Sequence, residues 1–187
     1  MKNVSRMLAM AAGTALAMVA PSAAFAGAVH DGGHEHGGTE VFGTTVPCHP
    51  ELGFYRVTTT YNSVFHVTAN ANGGAFTETE TGSFVAVPTE VVRDANGDPV
   101  VDQDGNMTPV GDPLAGETFS GHFTSWDGGN FTGHGTVFTA TFSVHGTGSE
   151  GTTFAEHDLF HFTGGPGDPE EDPNVPVKVA FSRQHCA

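Results

Sequence analysis

From Pro47 onward, short runs of Phe, Val and Thr alternate with Gly, Asn and Asp, and this pattern constrains the fold more than any other feature. The sequence contains 26 Gly and no Ile, and only three Leu follow residue 26 (Leu52, Leu114 and Leu159). β-Branched and aromatic side chains favour strands, whereas Gly and Asn favour tight turns. No stretch has helical periodicity of useful length, so we expect an all-β fold.

Eight segments have the composition and alternation expected of strands: 54–61, 63–69, 75–81, 83–92, 117–126, 131–145, 152–163 and 176–184. Tight turns are predicted at 70–74, 127–130 and 146–151, where Asn, Asp and Gly adopt positive φ readily. About eight strands joined in this way predict a single antiparallel barrel, with a two-sheet sandwich as the alternative. Residues 94–113 predict an excursion with two turns, and residues 164–176 predict a Pro- and acid-rich loop.

The start of the chain has the features of a secretory signal peptide. Lys2 and Arg6 precede a short apolar run, and Ala24-Phe25-Ala26 is typical of a cleavage site. We therefore expect bacterial export and an extracellular, secreted product. The predicted division is a signal peptide over 1–26, a flexible His- and Gly-rich tail over 27–46 and a β-barrel domain over 47–187.

The charge balance restricts the partners. Removal of Lys2 and Arg6 leaves four basic residues against 21 acidic ones, a net charge of −17 with neutral histidines. Such a surface repels phosphate backbones and anionic lipid, which disfavours nucleic-acid and membrane partners. It attracts cations, although solubility outside the cell explains the charge equally simply.

Cys48 and Cys186 are the two cysteines of the chain. In an oxidising compartment they most simply form one disulfide, and closing so long a loop stabilises a fold by about 4–5 kcal/mol in the chain-entropy model. The alternative is a two-thiol metal site completed by His49 and His185.

Residues 116–162, which include GTVFTATFSVHGTGSEGTTF, resemble small secreted bacterial β-barrel proteins of unassigned function. The segment is more loosely similar to the calycin-like barrels of allene oxide cyclases and dirigent proteins. It covers about a third of the chain after residue 26. The resemblance implies a barrel that holds an apolar ligand in its central cavity, and it supplies no catalytic motif.

Three histidines of the predicted tail, His30, His34 and His36, lie close to acidic residues. Imidazole and carboxylate groups at such spacing on a flexible chain can bind a divalent transition metal, zinc or copper. A solvated low-complexity tail with no dedicated metal is the alternative.

His122 and His134 occupy equivalent places in the near-repeat FSGH and FTGH. A three-residue turn at 127–129 would put them directly opposite each other, with Cβ atoms about 4.5–5.5 Å apart and able to share a metal. A two-residue turn at 128–129 would put them on opposite faces. The Asp-Gly-Gly-Asn sequence favours the shorter turn, so we expect a hairpin first and a metal-ligand pair second.

The segment 152–163 places two kinds of titratable side chain on opposite faces. His157 and His161 share one face, and Glu156 and Asp158 lie on the other with several phenylalanines. Whichever face is interior, titratable groups border an apolar pocket, so these four residues are candidate acid–base catalysts. Polar groups that reach water at a strand end are the alternative.

Three functions remain open at this point. The first is a secreted barrel that binds a small apolar molecule in its interior. The second is a cyclase- or isomerase-like enzyme with interior His, Glu or Asp, and the third is extracellular metal capture. The nucleophile elbow, phosphate loop and zinc-protease helix motifs are absent from the sequence, which gives hydrolase and nucleotide chemistry no support.

Overall fold

The computed structural model describes residues 28–102, 105–132, 135–164 and 177–187. The predicted signal peptide, His134 and the predicted loop from residue 165 to residue 176 lie outside these ranges. Within the ranges, no helix has the length and apolar character needed to cross a membrane.

The described chain is a single antiparallel sheet. Its neighbours follow the order β1-β2-β3-β5-β6-β7-β8, and β4 pairs with β3. The all-β prediction is confirmed. The strands are β1 Val29–Thr45, β2 Phe54–Asn70, β3 Gly73–Val91, β4 Pro109–Val110, β5 Phe119–Thr132, β6 Gly135–Gly148, β7 Thr153–Gly164 and β8 Val177–Cys186.

The sheet curls until its first and last strands approach each other at one end. Cys48, just after β1, forms a disulfide with Cys186 at the end of β8, with the two Cα atoms 5.9 Å apart, so the predicted disulfide is confirmed. No described ladder joins β1 to β8. On the free edge of β1, Gly43 instead exchanges backbone hydrogen bonds with Met107, of 2.6 and 2.9 Å. Complete closure into a barrel therefore stays a prediction.

The flexible tail predicted over 27–46 is wrong for residues 29–45, which form β1 and pair with β2 along its whole length. The glycines of this segment provide room for aromatic rings. A Cβ atom at Gly33 would lie 2.6 Å from the Phe65 ring, and one at Gly38 would lie 2.5 Å from the Tyr61 ring. Residues 29–45 have a composition typical of disorder, yet they form a strand because large side chains of β2 pack over their glycines.

Two hairpin predictions have opposite outcomes. The turn at 70–74 is confirmed, since Asn70 pairs with Gly73 and two residues link β2 to β3. The turn at 127–130 is wrong, since β5 continues to Thr132, which pairs with Gly135. A Cβ atom at Gly129 would lie 2.7 Å from a backbone oxygen of β6. This glycine permits close packing and does not mark a turn.

Two of the strands are longer than predicted, and the predicted excursion after β3 is present. β2 joins the predicted strands 54–61 and 63–69, and β3 joins 75–81 and 83–92. The predicted excursion is confirmed by two antiparallel bridges, Arg93 with Pro99 and Val101 with Met107.

The core occupies one end of the concave face, called here the inner face. Aromatic pairs cross the interior between strands that are not neighbours: the Tyr55 and Phe119 ring centroids are 5.5 Å apart, and those of Phe84 and Phe154 are 6.1 Å apart. Each buried phenylalanine stabilises the fold by about 1.5–3 kcal/mol. The core residues are Phe42, Val46, Tyr55, Val57, Phe84, Ala86, Phe119, Phe123, Phe142, Val144 and Phe154.

Candidate functional site

The register of the sheet separates its acids from its bases. Directly opposed residues on neighbouring strands share a face. Apart from Glu90 at the end of β3, all strand carboxylates lie on the inner face, and we call them the inner carboxylates. No Lys, Arg or His among the described side chains lies on that face. The inner carboxylates are Asp31, Glu35, Glu40, Glu78, Glu80, Asp127, Glu156 and Asp158.

Several inner carboxylates lie on one line that crosses the sheet. We call this line the acidic row. Each member is the direct cross-strand neighbour of the next, so serine hydroxyls alternate with carboxylates over much of its length. The members in order are Glu35, Ser63, Glu80, Ser125, Phe142, Asp158 and Ser182.

Asp127 is the most isolated of the inner carboxylates. It is 2% exposed, and its Oδ1 atom receives no hydrogen bond from any described residue. Its cross-strand neighbours are Glu78 on β3 and Ala140 on β6. Burial and then the Glu78 charge raise the pKa of Asp127 to about 7. An unpartnered buried carboxyl group is costly and therefore needs a proton or a ligand.

Glu80 occupies the acidic row beside Asp127. Burial, followed by the charges of Glu40, Glu78, Glu35 and Asp127 in that order of importance, raises its pKa to about 7. The pKa values of Glu40 and Glu78 are also raised, mainly by burial and secondly by the charge of Glu35. These carboxyl groups therefore titrate as a mutually repelling set.

Glu156 and Asp158, two of the predicted catalytic residues, lie on the inner face and are buried. Gln184 Nε2 donates a 2.6 Å hydrogen bond to Glu156 Oε1, while Glu156 Oε2 and Asp158 Oδ1 have no donor among the described residues. Burial raises the pKa of both carboxyl groups. A hydrogen bond with Ser182 and the charge of His157 partly oppose this rise at Asp158.

Glu117 shows what a structural buried carboxylate looks like in this chain. Its oxygens accept hydrogen bonds from the Glu150 backbone at 3.1 Å, the Thr152 backbone at 3.4 Å and the Thr152 hydroxyl at 2.9 Å. These bonds fix the turn between β6 and β7. Asp127 has no comparable partner at Oδ1 among the described residues.

An apolar cavity of about 60 Å³ adjoins the acidic row. Phe142 belongs to both, since it lines the cavity and lies between Ser125 and Asp158 in the row. Thr59 also lines the cavity; it is 4% exposed, and its hydroxyl has no hydrogen-bond partner in the described chain. The apolar cavity is therefore bordered by the Thr59 hydroxyl, which is unsatisfied among the described residues, and by Phe142 of the acidic row.

The predicted catalytic histidines, His157 and His161, lie on the outer face of the sheet. His161 Nδ1 is 2.8 Å from the Thr139 hydroxyl, and His157 is hydrogen-bonded to Ser143 on the same outer face. One thickness of sheet separates them from Glu156 and Asp158, because successive strand residues alternate between faces. The two pairs therefore lie on opposite faces, as the alternation predicts, and a catalytic role for these four residues stays a prediction.

The three histidines of β1 that were predicted to bind metal also lie on the outer face. The ring centroids of His34 and His36 are 4.8 Å apart, and His36 Nδ1 is 3.2 Å from Asn62 Oδ1. His30 lies farther along β1, opposite Thr68. Among the residues that the structure describes, no three His, Cys, Asp or Glu side chains converge to hold a metal ion.

The alternative in which His122 opposes His134 is wrong, because His122 pairs with His145 on β6. His134 itself lies outside the described residues. Zinc or copper binding by these histidines stays a prediction.

Glu80 and Asp127 are not among the functional residues predicted from the sequence. The alternation in Thr77-Glu78-Thr79-Glu80 does place both glutamates on one face. Charged residues are rarely buried, however, so that face reads as solvent-exposed. The alternation was the available signal, but it does not by itself decide which face is interior.

No protein-family model, curated protein or solved structure matches this chain. The resemblance to small secreted β-barrel proteins and to calycin-like barrels therefore stays a prediction.

Proposed function

We propose that this chain is an exported binding protein that holds a small apolar amine on the inner face of its curled sheet. In this proposal the apolar part of the ligand enters the phenylalanine-lined cavity and the ammonium group lies against the inner carboxylates. The observation that carries the proposal is the buried, unpartnered Oδ1 atom of Asp127 among acidic neighbours.

The cavity limits the size of the ligand. Its volume of about 60 Å³ suits a short alkyl chain or the edge of one ring. Drug-sized ligands occupy pockets of about 300–1,000 Å³. A small ligand whose polar end extends along the acidic row fits both regions.

The charges favour an amine over a compact metal ion or an acid. An ammonium group has three donors. It suits two carboxylates on neighbouring strands, where the Cβ atoms of opposed residues are about 4.5–5.5 Å apart. A metal ion needs several ligands around one point, and the described His, Cys, Asp and Glu residues offer no such group. An anionic ligand would meet only like charges on the described inner face.

A matched ligand series tests the proposal. The exported, disulfide-bonded protein is titrated at pH 7.5 with hexylamine, hexanol and hexanoate, which share one apolar chain. We expect hexylamine to bind at least about tenfold more tightly than hexanol, a difference of about 1.4 kcal/mol, and hexanoate to bind least.

Two substitutions assign the effect to the site. Asp127→Asn should reduce hexylamine affinity towards that of hexanol, and Asp112→Asn, in the exposed loop before β5, should leave it unchanged. Equal affinity for hexylamine and hexanol, or preference for hexanoate, would overturn the proposal. Mass spectrometry of molecules that co-purify with the native protein identifies the ligand itself.

The inner carboxylates also support a second function, an isomerase-like enzyme. General acid–base catalysis is most effective when the pKa of the catalytic group lies near the working pH. The pKa values of about 7 for Glu80 and Asp127 meet this condition. Deuterium incorporation into a small enolisable ketone in D₂O, lost in Asp127→Asn and retained in Asp112→Asn, would support it.

A further inference from the structure

A groove crosses the outer face of β5, β6, β7 and β8, on the opposite side of the sheet from the inner carboxylates. Its volume is about 410 Å³, which lies in the range of small-molecule sites. His122 on β5 directly opposes His145 on β6, and Ala155 on β7 separates His145 from His185 on β8. The small side chain of Ala155 leaves space between the flanking imidazoles.

The adjacent row adds a permanent positive charge. Ser143, His157 and Arg183 are consecutive cross-strand neighbours, and all three line the groove. Ser143 is hydrogen-bonded to His157, and this bond orients the imidazole that directly neighbours Arg183 on β8. The groove thus combines one guanidinium group with the imidazoles of four strands.

Acidic side chains are absent from this part of the outer face. No Asp or Glu of the described portions of β5 to β8 lies there, and the strand acids Asp127, Glu156 and Asp158 face inward. Glu156 borders the groove through the sheet, and Gln184 on the inner face binds its side chain. The described side chains on the outer side of this groove are therefore basic or neutral, although the chain as a whole is strongly acidic.

We propose that this groove binds a small ligand with two or more oxyanion groups, carboxylate or phosphate, through Arg183 and protonated imidazoles. A guanidinium group presents a planar pair of donors that matches the geometry of an oxyanion. Doubly protonated imidazoles donate from both ring nitrogens. Arg183 is not a metal ligand, and its position beside His157 favours an anion over a metal ion.

The binding depends on pH through the imidazoles. Imidazole side chains gain a proton as the pH falls from 8 to 5. The titratable and charged groups around the groove are His122 on β5, His145 on β6, His157 and Glu156 on β7, and Arg183 and His185 on β8. Affinity should therefore rise on acidification, because a protonated imidazole adds positive charge and a second N–H donor to the groove.

Calorimetric titration with two probes tests the proposal and separates its two chemistries. The exported, disulfide-bonded protein is titrated with citrate and with inorganic pyrophosphate at pH 5.5 and at pH 7.5, at fixed ionic strength. We expect at least one probe to bind at pH 5.5 and to bind at least tenfold more weakly at pH 7.5. Binding of citrate alone identifies a polycarboxylate site, and binding of pyrophosphate alone identifies a phosphate site.

Matched substitutions on the same sheet face locate the site. Arg183→Gln and His145→Gln should each weaken binding at pH 5.5, the former by at least about tenfold. The controls Arg56→Gln and His66→Gln lie on the outer face of β2, away from the groove, and should change affinity by less than about twofold.

Two results would overturn the proposal. One is the absence of binding by both probes at millimolar concentration and pH 5.5. The other is equal weakening by Arg183→Gln and Arg56→Gln, which would indicate general attraction of the anion to the folded chain. NMR shifts of the groove imidazoles in the unsubstituted protein provide a readout that does not depend on the folding of any variant. The amine proposal concerns the opposite face, so either proposal can fail without the other.

Discussion

Glu78 and Asp127 are direct cross-strand neighbours on β3 and β5, so two carboxyl groups lie side by side inside the sheet. Like charges in this arrangement destabilise a sheet, and burial increases the penalty. The fold therefore keeps a local conflict where a hydrophobic or hydrogen-bonded pair would be more stable. Conflicts of this kind are typical of functional sites.

Asp127→Asn should stabilise the protein at high pH and have little effect at low pH. The pKa of Asp127 is raised to about 7 in the folded state, above its ordinary value of 3.8. The folded protein thus holds a proton that the unfolded chain loses between these values, so the free energy of unfolding falls as the pH rises. We expect the variant to gain about 2–4 kcal/mol at pH 8 and almost nothing at pH 4.

Urea unfolding at pH 4, 6 and 8 measures this gain. The exposed variant Asp112→Asn serves as the control and should show no trend with pH. A constant difference between Asp127→Asn and the unsubstituted protein at all three pH values would contradict the predicted origin.

Hexylamine binding should release protons and strengthen as the pH rises from 5.5 to 7.5. Near pH 7, Glu80 and Asp127 are partly protonated, and a bound ammonium group favours their ionised forms. Calorimetry in buffers of different ionisation enthalpy measures the released protons. Hexanol should show neither effect, and a pH-independent hexylamine affinity would argue against contact with these carboxylates.

Removal of the disulfide should destabilise the fold strongly. The two cysteines are 138 residues apart in sequence, and the bond joins the ends of the first and last strands. We expect the double variant Cys48→Ala/Cys186→Ala to lose about 4–5 kcal/mol in urea unfolding, since the unfolded chain gains the entropy of an open loop. Equal urea midpoints for the oxidised and reduced protein would show that the contact between the ends of β1 and β8 is stable without the disulfide.

Gly146→Val should destabilise the core by about 1–3 kcal/mol through overpacking. Gly146 directly opposes Phe154, and a Cβ atom there would contact that ring and lie 3.0 Å from the Phe84 ring. The adjacent variant Thr147→Val lies on the exposed outer face and serves as the control. Thermal unfolding compares the two, and an equal change in midpoint would contradict the packing argument.

Side-chain chemistry that acts locally was predictable from the sequence. The Asn70–Gly73 turn follows from residues that adopt positive φ, and the disulfide follows from two cysteines in a chain that is predicted to be exported. The strand content follows from Phe, Val and Thr in short runs. Each of these predictions depends on a property of the residues themselves.

Contacts made by partner strands were not predictable in the same way. Glycines at positions 33 and 38 suggested disorder, but Phe65 and Tyr61 on β2 occupy the space that they leave. Gly128 and Gly129 suggested a turn for the same reason, which displaced the predicted hairpin and the partner of His122. The burial of Glu80 and Asp127 contradicts the usual exposure of acids, so only the register could assign their face.

Acids and imidazoles of the strands lie on opposite sides of one layer of backbone. The charges of the two faces therefore respond to pH separately. The inner face of the strands carries the carboxyl groups, and the outer face of the same strands carries the imidazole and guanidinium groups. As the pH falls below about 7, Glu80 and Asp127 take up protons and the inner face loses negative charge. Under the two binding proposals, one fall in pH would release the amine from the inner face and favour the anion on the outer face.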